Sequence, residues 1–139
     1  MFKSIVLGLD GSQHSLRALE SAGTLAEHFG AKLILVHAYP RTSDLRRFEG
    51  YDRLVSQRKN AGQAILDDAR KRLASLSCEI EEDLLEGPAA EAILSVAETR
   101  QPDLIVLGTR GMGSVKGLVL GSVSHKVTHH APCTVMVVR

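Results

Sequence analysis

Residues 103–122 of the chain read DLIVLGTRGMGSVKGLVLGS. The uninterrupted aliphatic run at 104–107 is typical of a strand that is buried on both faces of a parallel sheet. The run ends in a glycine-rich loop, and a helix is predicted behind that loop at 122–130. Because a strand that leads through a loop into a helix is the building unit of α/β proteins, this stretch predicts the fold class.

The same unit repeats along the chain. A strand predicted at 2–9 precedes a helix that Ser12 or Ser15 can cap at its start and Gly30 at its end. Gly87 and Pro88 open a third helix. The other predicted elements are strands at 32–38, 78–85 and 133–138, a helix at 54–76 and an arginine-rich surface loop at 40–53. This order predicts a single α/β domain over residues 1–139, with a doubly wound parallel sheet and helices on both faces.

Two of these elements have predicted faces. Apolar residues at helical spacing define the inward face of the helix at 54–76, namely Ala61, Ile65, Ala69, Leu73 and Leu76. Acidic residues alternate along the strand at 78–85, where Glu79, Glu81 and Asp83 are expected to point outward as on an edge strand.

The composition excludes several classes of protein. The chain has 139 residues, of which 44% are hydrophobic and 24% are charged, and its net charge is +1. This balance gives no general attraction to nucleic acid or to an anionic membrane. The apolar runs are far shorter than the roughly 20 residues of a membrane-spanning helix, and no signal peptide is recognisable. We therefore expect a cytoplasmic protein without nucleic-acid or membrane partners.

The charges are unevenly distributed along the chain. No acidic residue follows Asp103, whereas Arg110, Lys116, Lys126 and Arg139 all lie in the last 36 residues. Because that segment carries only positive formal charge, we expect it to bind an anion.

The glycine-rich loop has the features of a phosphate-binding loop. Gly108, Gly111 and Gly113 allow close approach of the backbone to an anion, and Gly121 and Ser122 open a helix whose dipole favours negative charge. The loop is neither a P-loop, which requires a lysine after its last glycine, nor the dinucleotide-binding fingerprint, which requires a third glycine. The alternative, in which the glycines only serve tight turns, stays open from these residues alone.

A second loop is expected at the same edge of the sheet. The first strand ends in the triplet DGS at 10–12, and ligands of open parallel sheets bind outside the carboxyl ends of the strands. Asp10 is therefore a candidate binding residue, with capping of the first helix as the alternative role.

Taken together, these motifs resemble the universal stress protein family in its ATP-binding branch. The pattern G-x2-G-x9-G-[ST] of that family is matched by Gly108, Gly111, Gly121 and Ser122. Further matches are DGS at 10–12, VHA at 36–38, GP at 87–88 and APCTV at 131–135. The resemblance implies a Rossmann-like, five-stranded sheet with strand order 3-2-1-4-5, of the adenine nucleotide alpha hydrolase type.

The resemblance also implies a nucleotide site for ATP, with or without Mg²⁺. Asp10 would contact the ribose, and the backbone of Ala38 would meet the adenine edge, although a larger valine is common at the position of Ala38. Gly108, Gly111, Gly121 and Ser122 would hold the phosphates. The same pocket is expected to be lined by Leu9, Thr109, Arg110, Met112, Gly113, Val123 and Ser124.

The function implied is a nucleotide-dependent regulatory switch in the stress response. We expect hydrolysis to be slow or absent, because phosphoryl transfer needs carboxylates that the segment after Asp103 lacks. Two alternatives stay open: a nucleotide-independent interaction module with an unidentified protein partner, and a slow ATPase that modifies itself at Ser122 or Ser124. No catalytic residue is assigned.

No metal site is predicted. His125 and His129 lie four residues apart but lack a third ligand, and Cys78 and Cys133 lack metal-site spacing and are expected to be small buried residues.

The last strand predicts an assembly. In the strand order that the resemblance implies, it lies at a sheet edge, and it is apolar and free of proline. Such an edge favours antiparallel pairing with a second copy. We therefore expect a homodimer through Thr134, Val135, Met136, Val137 and Val138.

Overall fold

The computed structural model describes residues 1–109 and 120–139. Strands and helices alternate in the predicted order. They are β1 (Ser4–Gly8), α1 (Gln13–Phe29), β2 (Lys32–Tyr39), α2 (Tyr51–Arg72), β3 (Ile80–Glu86), α3 (Ala89–Arg100), β4 (Leu104–Gly108), α4 (Ser122–His130) and β5 (Thr134–Val138), with a short 3₁₀ helix at Ser43–Leu45. In the described parts of the chain, no helix is both long and apolar enough to span a membrane.

The described strands form one parallel sheet in the order β3-β2-β1-β4-β5, which confirms the predicted fold class. In its central register, Val6 of β1 lies between Ile34 of β2 and Ile105 of β4. From β1 the chain runs outward to one edge through β2 and β3, and then returns to build the other edge from β4 and β5. The order of strands therefore reverses between β1 and β4, and a crevice is expected at their carboxyl ends.

Helices cover both faces of the sheet. Successive side chains of a strand point to opposite faces, so Ile5 and Leu7 pack in the cluster that contains residues of α1 and α2, whereas Val6 packs with residues of α3 and α4. Each central strand is therefore buried on both sides. This burial explains why the central strands are uninterrupted aliphatic runs.

Both predicted caps of α1 are present. The hydroxyl of Ser12 accepts a hydrogen bond from Ser15 N (3.2 Å), and Gly30 ends the helix with φ of 64°. Because Ser12 is the N-cap, Asp10 does not cap this helix, and its side chain belongs to the loop that precedes it.

The structure corrects the inward face of α2. Ala61 is exposed and Gly62 is buried. A Cβ at Gly62 would lie 2.7 Å from Leu84 Cδ1 and 2.9 Å from His37 Cδ2, so residues of β3 and β2 leave little room for a side chain at this position of α2. The helix also begins before residue 54 and ends before residue 76, which were its predicted bounds. A glycine at a close contact does not register in an apolar pattern, which explains the error.

Of the three acidic residues predicted to point outward, Glu79 is exposed, whereas Glu81 and Asp83 of β3 are paired. Arg100 of α3 binds Asp83 with its Nε (3.0 Å) and also binds Glu81, and on the other face Arg70 of α2 binds Glu82 with its Nε (2.7 Å). The hydrogen bond from Arg70 holds the pKa of Glu82 below its usual value. The reason for the difference is that helices flank both faces of this edge strand.

Strand ends differ from the prediction by short lengths. β1 begins at Ser4 rather than at residue 2, because the carboxylate of Asp103 accepts hydrogen bonds from Lys3 N (2.7 Å) and Ser4 N (2.9 Å) at the start of the strand.

Cys78 and Cys133 are half-buried rather than fully buried.

The loop after β2 is attached to the end of β3. The carboxylate of Glu86 accepts hydrogen bonds from Thr42 N (2.6 Å), Ser43 N (3.0 Å) and Thr42 Oγ1 (3.1 Å). The bond from the amide of Thr42 is the main reason why the pKa of Glu86 lies below its usual value. This anchor fixes the backbone that continues from the carboxyl end of β2.

Candidate functional site

A cleft opens at the carboxyl ends of β1, β2 and β4, where the strand order reverses. Its empty volume is about 520 Å³, with the open mouth included. It is lined by Gly8, Leu9, Asp10, Ser15, Val36, Ala38, Ala89, Ile93, Leu107, Gly108, Val123 and Ser124. The structure thus brings together six of the predicted site residues, namely Leu9, Asp10, Ala38, Gly108, Val123 and Ser124.

One end of the cleft is apolar. Val36, Ile93 and Leu107 belong to the core cluster between the sheet and α3, and they also form part of the cleft wall. Their contribution was missed at the sequence level, because wall residues of this type resemble core residues.

The strand β2 presents backbone groups at the apolar end of the cleft. Leu9 N donates to Val36 O (2.8 Å), so Val36 faces β1, whereas Leu33 N donates to Glu79 O (2.8 Å) on the opposite side of β2. Backbone groups alternate along a strand in this way, and Ala38, two residues beyond Val36, therefore faces the side of β1. Because β1 has already ended at Gly8, the N–H and C=O of Ala38 turn toward the cleft.

The end of β1 is held from two sides. Leu9 N is bonded to Val36 O, and Leu9 O accepts a hydrogen bond from Nδ1 of His37 (2.7 Å). A carbonyl oxygen can only accept, so Nδ1 of His37 carries the proton. His37 is buried, with 8% of its surface exposed, and it has a structural contact rather than a position in the cleft.

Asp10 follows Leu9, whose backbone is held by these hydrogen bonds, and lines the cleft. Its Oδ1 accepts a hydrogen bond from Ser12 N (2.9 Å), and Gly11 between them has φ of 84°, a conformation that favours glycine. The bond shapes the loop between β1 and α1. It also leaves Asp10 half-buried at the wall of the cleft.

The other end of the cleft contains the start of α4. The first hydrogen bond of this helix runs from His125 N to Gly121 O (3.0 Å). Helix geometry leaves the amides of Ser122, Val123 and Ser124 without an acceptor inside the helix, and the helix dipole adds positive potential there. Gly121 at the N-cap has no side chain that could satisfy them. This arrangement suits an anion.

Thr109 lies behind the start of α4 rather than in the wall of the cleft. It is 6% exposed, and its N–H donates to Val138 O (2.8 Å). Its carbonyl accepts from Gly121 N (2.6 Å) and from Ser124 Oγ (2.7 Å). Its hydroxyl lies 3.3 Å from Nδ1 of His14. Thr109 therefore connects β4, β5, α1 and α4.

Gly108 has a packing reason that the sequence did not reveal. A Cβ at this position would lie 2.7 Å from His14 Cβ and 2.8 Å from the carbonyl carbon of His14, so the first turn of α1 requires a glycine here. The remaining predicted residues of the loop, Arg110, Gly111, Met112 and Gly113, lie outside the described residues.

Metal ligands do not cluster in the described residues. Within 1–109 and 120–139, no group of three or more His, Cys, Asp or Glu side chains could hold a metal ion. His125 and His129 have parallel rings whose centroids are 6.5 Å apart.

The fold and the cleft define an α/β protein with a cleft at the switch point of a doubly wound sheet. Residues 1–139 match the sequence model of the Universal stress protein family. A universal stress protein of Thermus aquaticus is 41% identical over 141 aligned residues that cover 100% of both chains. The chain belongs to the universal stress protein family.

Solved structures agree with this assignment. The universal stress protein UspA of Lactobacillus plantarum superposes with a TM-score of 0.84 at 26% identity, covering 99% of this chain and 97% of that chain. A universal stress protein crystallised in complex with cAMP superposes with a TM-score of 0.78 at 30% identity, covering 99% of this chain and 97% of that chain.

Proposed function

We propose that the cleft binds an adenine nucleotide, that ATP is its ligand, and that binding serves a regulatory switch. One observation carries the proposal: the backbone of Ala38 and the first turn of α4 face one cleft of about 520 Å³ from opposite ends. Apolar walls with a few convergent polar groups are typical of small-molecule sites. The complex of a related protein with cAMP supports an adenine ligand.

Each part of the nucleotide has a matching part of the cleft. The adenine would lie at the apolar end of the cleft, which we call the base end, and would pack against Val36, Ile93 and Leu107. Its polar edge would pair with the N–H and C=O of Ala38, which act as a donor and an acceptor. The carboxylate of Asp10 would accept hydrogen bonds from the ribose hydroxyls.

The phosphates would lie at the other end of the cleft, at the start of α4, which we call the phosphate end. They would accept hydrogen bonds from the amides of Ser122, Val123 and Ser124. The proposal also includes Gly108 and the loop residues Arg110, Gly111, Met112 and Gly113, with Leu9 and Thr109 supporting the walls.

Regulation fits the cleft better than rapid catalysis does. Of the described residues that line it, only Asp10 carries a carboxylate, and that group already accepts a hydrogen bond from Ser12 N. Phosphoryl transfer requires a metal ion held by protein ligands and a group that orients the nucleophile. A Mg²⁺ ion that accompanies ATP would therefore be held mainly by the phosphates, so we propose slow or absent hydrolysis.

The identity of a bound ligand tests the proposal. Freshly purified protein is denatured, and the released small molecules are identified by mass spectrometry. We expect an adenine nucleotide in near-stoichiometric amount, or saturable binding when ATP is added to nucleotide-free protein. Absence of both results would contradict the proposal and favour a nucleotide-independent interaction module.

We also propose a homodimer through β5. The two edges of the sheet differ: Glu81, Glu82 and Asp83 of β3 are paired with arginines, whereas the last four residues of β5 are half-exposed and apolar, namely Val135, Met136, Val137 and Val138. An apolar edge strand favours pairing with another strand, and two-fold symmetry makes that pairing antiparallel.

Light scattering tests this assembly. We expect a dimer for the wild-type protein and for Ser95→Lys on the exposed face of α3, and a monomer for Met136→Lys, because a charge at the seam opposes pairing. A dimer that persists in Met136→Lys would place the interface elsewhere.

A further inference from the structure

The hydroxyl group of Ser124 is used inside the protein. Ser124 is 3% exposed, and its Oγ lies 2.7 Å from Thr109 O and 3.2 Å from Gly121 O, both of which can only accept. A serine hydroxyl has one proton, and here that proton points to carbonyl oxygens. The hydroxyl therefore presents lone pairs to the cleft, and lone pairs do not attract a phosphate.

The acceptor of this bond also receives a second one. Thr109 O accepts from Gly121 N (2.6 Å) as well as from Ser124 Oγ. Gly121 is the N-cap of α4, and Ser124 is its third helical residue. Two bonds from opposite ends of one helical turn to a single carbonyl fix both the position and the rotation of that turn relative to the end of β4.

The carbonyl is itself firmly held. Thr109 N donates to Val138 O (2.8 Å) at the end of β5, so the peptide groups on both sides of Thr109 are bonded to neighbouring elements. The buried residue Val127 anchors α4 one turn further along the helix. Ser124 is thus the buried side chain that attaches the first turn of α4 to the sheet.

We propose that the side chain of Ser124 has a positioning role in the nucleotide site, and that its hydroxyl acts through its bond to Thr109 O rather than through contact with the ligand. The proposal rests on the proposed nucleotide binding at the cleft. Because hydrogen bonds weaken steeply with distance and angle, a loosened first turn would misalign the amides of Ser122 and Val123 for the phosphates. The base end, which belongs to the sheet, would keep its geometry.

A pair of variants with the same shape isolates the hydroxyl. Ser124→Val and Ser124→Thr differ by a methyl group in place of the hydroxyl. From the strength of one hydrogen bond, we expect Ser124→Val to weaken ATP binding about tenfold and adenosine binding less than about twofold, measured by calorimetry. Ser124→Thr keeps the donor, so both affinities stay within about twofold of the wild type.

A second hydroxyl on α4 provides the control. Thr128 Oγ1 donates to Ser124 O (2.6 Å) within the helix and does not reach Thr109. Thr128→Val should therefore leave the ratio of ATP affinity to adenosine affinity unchanged. If Ser124→Val does not fold, Ser124→Ala removes the same hydroxyl without added bulk, and the same ratio is measured.

The outcomes separate the two proposals. An ATP-specific loss in Ser124→Val or Ser124→Ala, restored by Ser124→Thr, supports the positioning role. An equal loss for ATP and adenosine, or no loss, overturns that role but leaves nucleotide binding intact. A wild-type protein that binds neither ligand overturns the proposed function and the positioning role with it.

Discussion

The two ends of the cleft are built by different means. At the base end, Val36 and Ala38 belong to a strand of the sheet, and their positions are fixed by the hydrogen bonds of the sheet itself. At the phosphate end, the first turn of α4 is connected to the sheet through the carbonyl of Thr109. The comparison suggests that the base end recognises shape and one polar edge, whereas the phosphate end depends on the orientation of backbone amides.

The largest expected effect is at the phosphate end. We expect Gly121→Asp to fold, because Gly121 has φ of −74° and ψ of 172°, and aspartate is a favourable N-cap. Its carboxylate would bind the same amides that the phosphates need and would add negative charge. We expect about a 100-fold loss of ATP affinity by calorimetry, from the loss of two charge-assisted hydrogen bonds.

Two ligands and one control variant sharpen this result. Adenosine affinity should change much less than ATP affinity, because adenosine lacks the phosphates that would bind these amides. Gly121→Asn occupies the amides without the charge and should lie between the wild type and Gly121→Asp. Unchanged ATP affinity in a folded Gly121→Asp variant would contradict the assignment of this end.

The next effect concerns Asp10 at the ribose. Asp10→Ala removes the carboxylate, and we expect ATP and adenosine to lose affinity equally, by about tenfold, since each ligand loses a hydrogen bond to a charged group. Asp10→Asn is the matched control, because its side-chain oxygen can still accept from Ser12 N and preserve the loop. A loss for ATP but not for adenosine would reassign Asp10 to the phosphates or to a metal ion.

A smaller effect is expected at Ala38. Ala38→Val adds apolar surface where the side chain borders the cleft, while the backbone groups that meet the adenine are unchanged. Burial of one further methylene is worth about 0.8 kcal/mol, so we expect ATP and adenosine to bind about fourfold more tightly. Competition assays with both ligands measure this change, and a gain for only one of them would mean that the side chain does not border the base.

The smallest effect is indirect and depends on pH. The pKa of Glu86 is lowered, chiefly by the hydrogen bond from Thr42 N, so this carboxylate stabilises the fold above its unfolded pKa of about 4.3. That contribution is lost as the pH falls through the lower pKa of the folded state. In thermal unfolding, Glu86→Gln should melt below the wild type at neutral pH, and the gap should shrink below about pH 4.

Glu49 provides the control for this prediction. It is an exposed glutamate of the same loop, and Glu49→Gln should melt with the wild type at every pH. A gap for Glu86→Gln that does not depend on pH would mean that the charge of Glu86 does not stabilise the loop.

Much of the fold could be predicted because it depends on local patterns. The aliphatic runs and the caps Ser12 and Gly30 gave the element order, and the class followed from it. The face of α2 and the pairing of the β3 carboxylates could not be predicted, because they depend on where Gly62 and Arg100 meet the sheet.

The candidate site divides in the same way. The glycine pattern and the DGS loop indicated the cleft, since their residue types serve turns and anions rather than a core. The apolar wall was missed because Val36 and Leu107 look like core residues in the sequence. The role of Ser124 was hidden because a sequence shows a hydroxyl but not its acceptor, Thr109 O.

An NMR titration of isotope-labelled wild-type protein with ATP shows most directly whether the nucleotide binds in the cleft. We expect saturable shifts of the amide signals of Asp10, Ala38 and Val123, at both ends of the cleft, while Glu27 and Lys32 near the amino ends of the strands stay unchanged. No shift at millimolar ATP, or shifts confined to the amino ends of the strands, would contradict binding in the cleft.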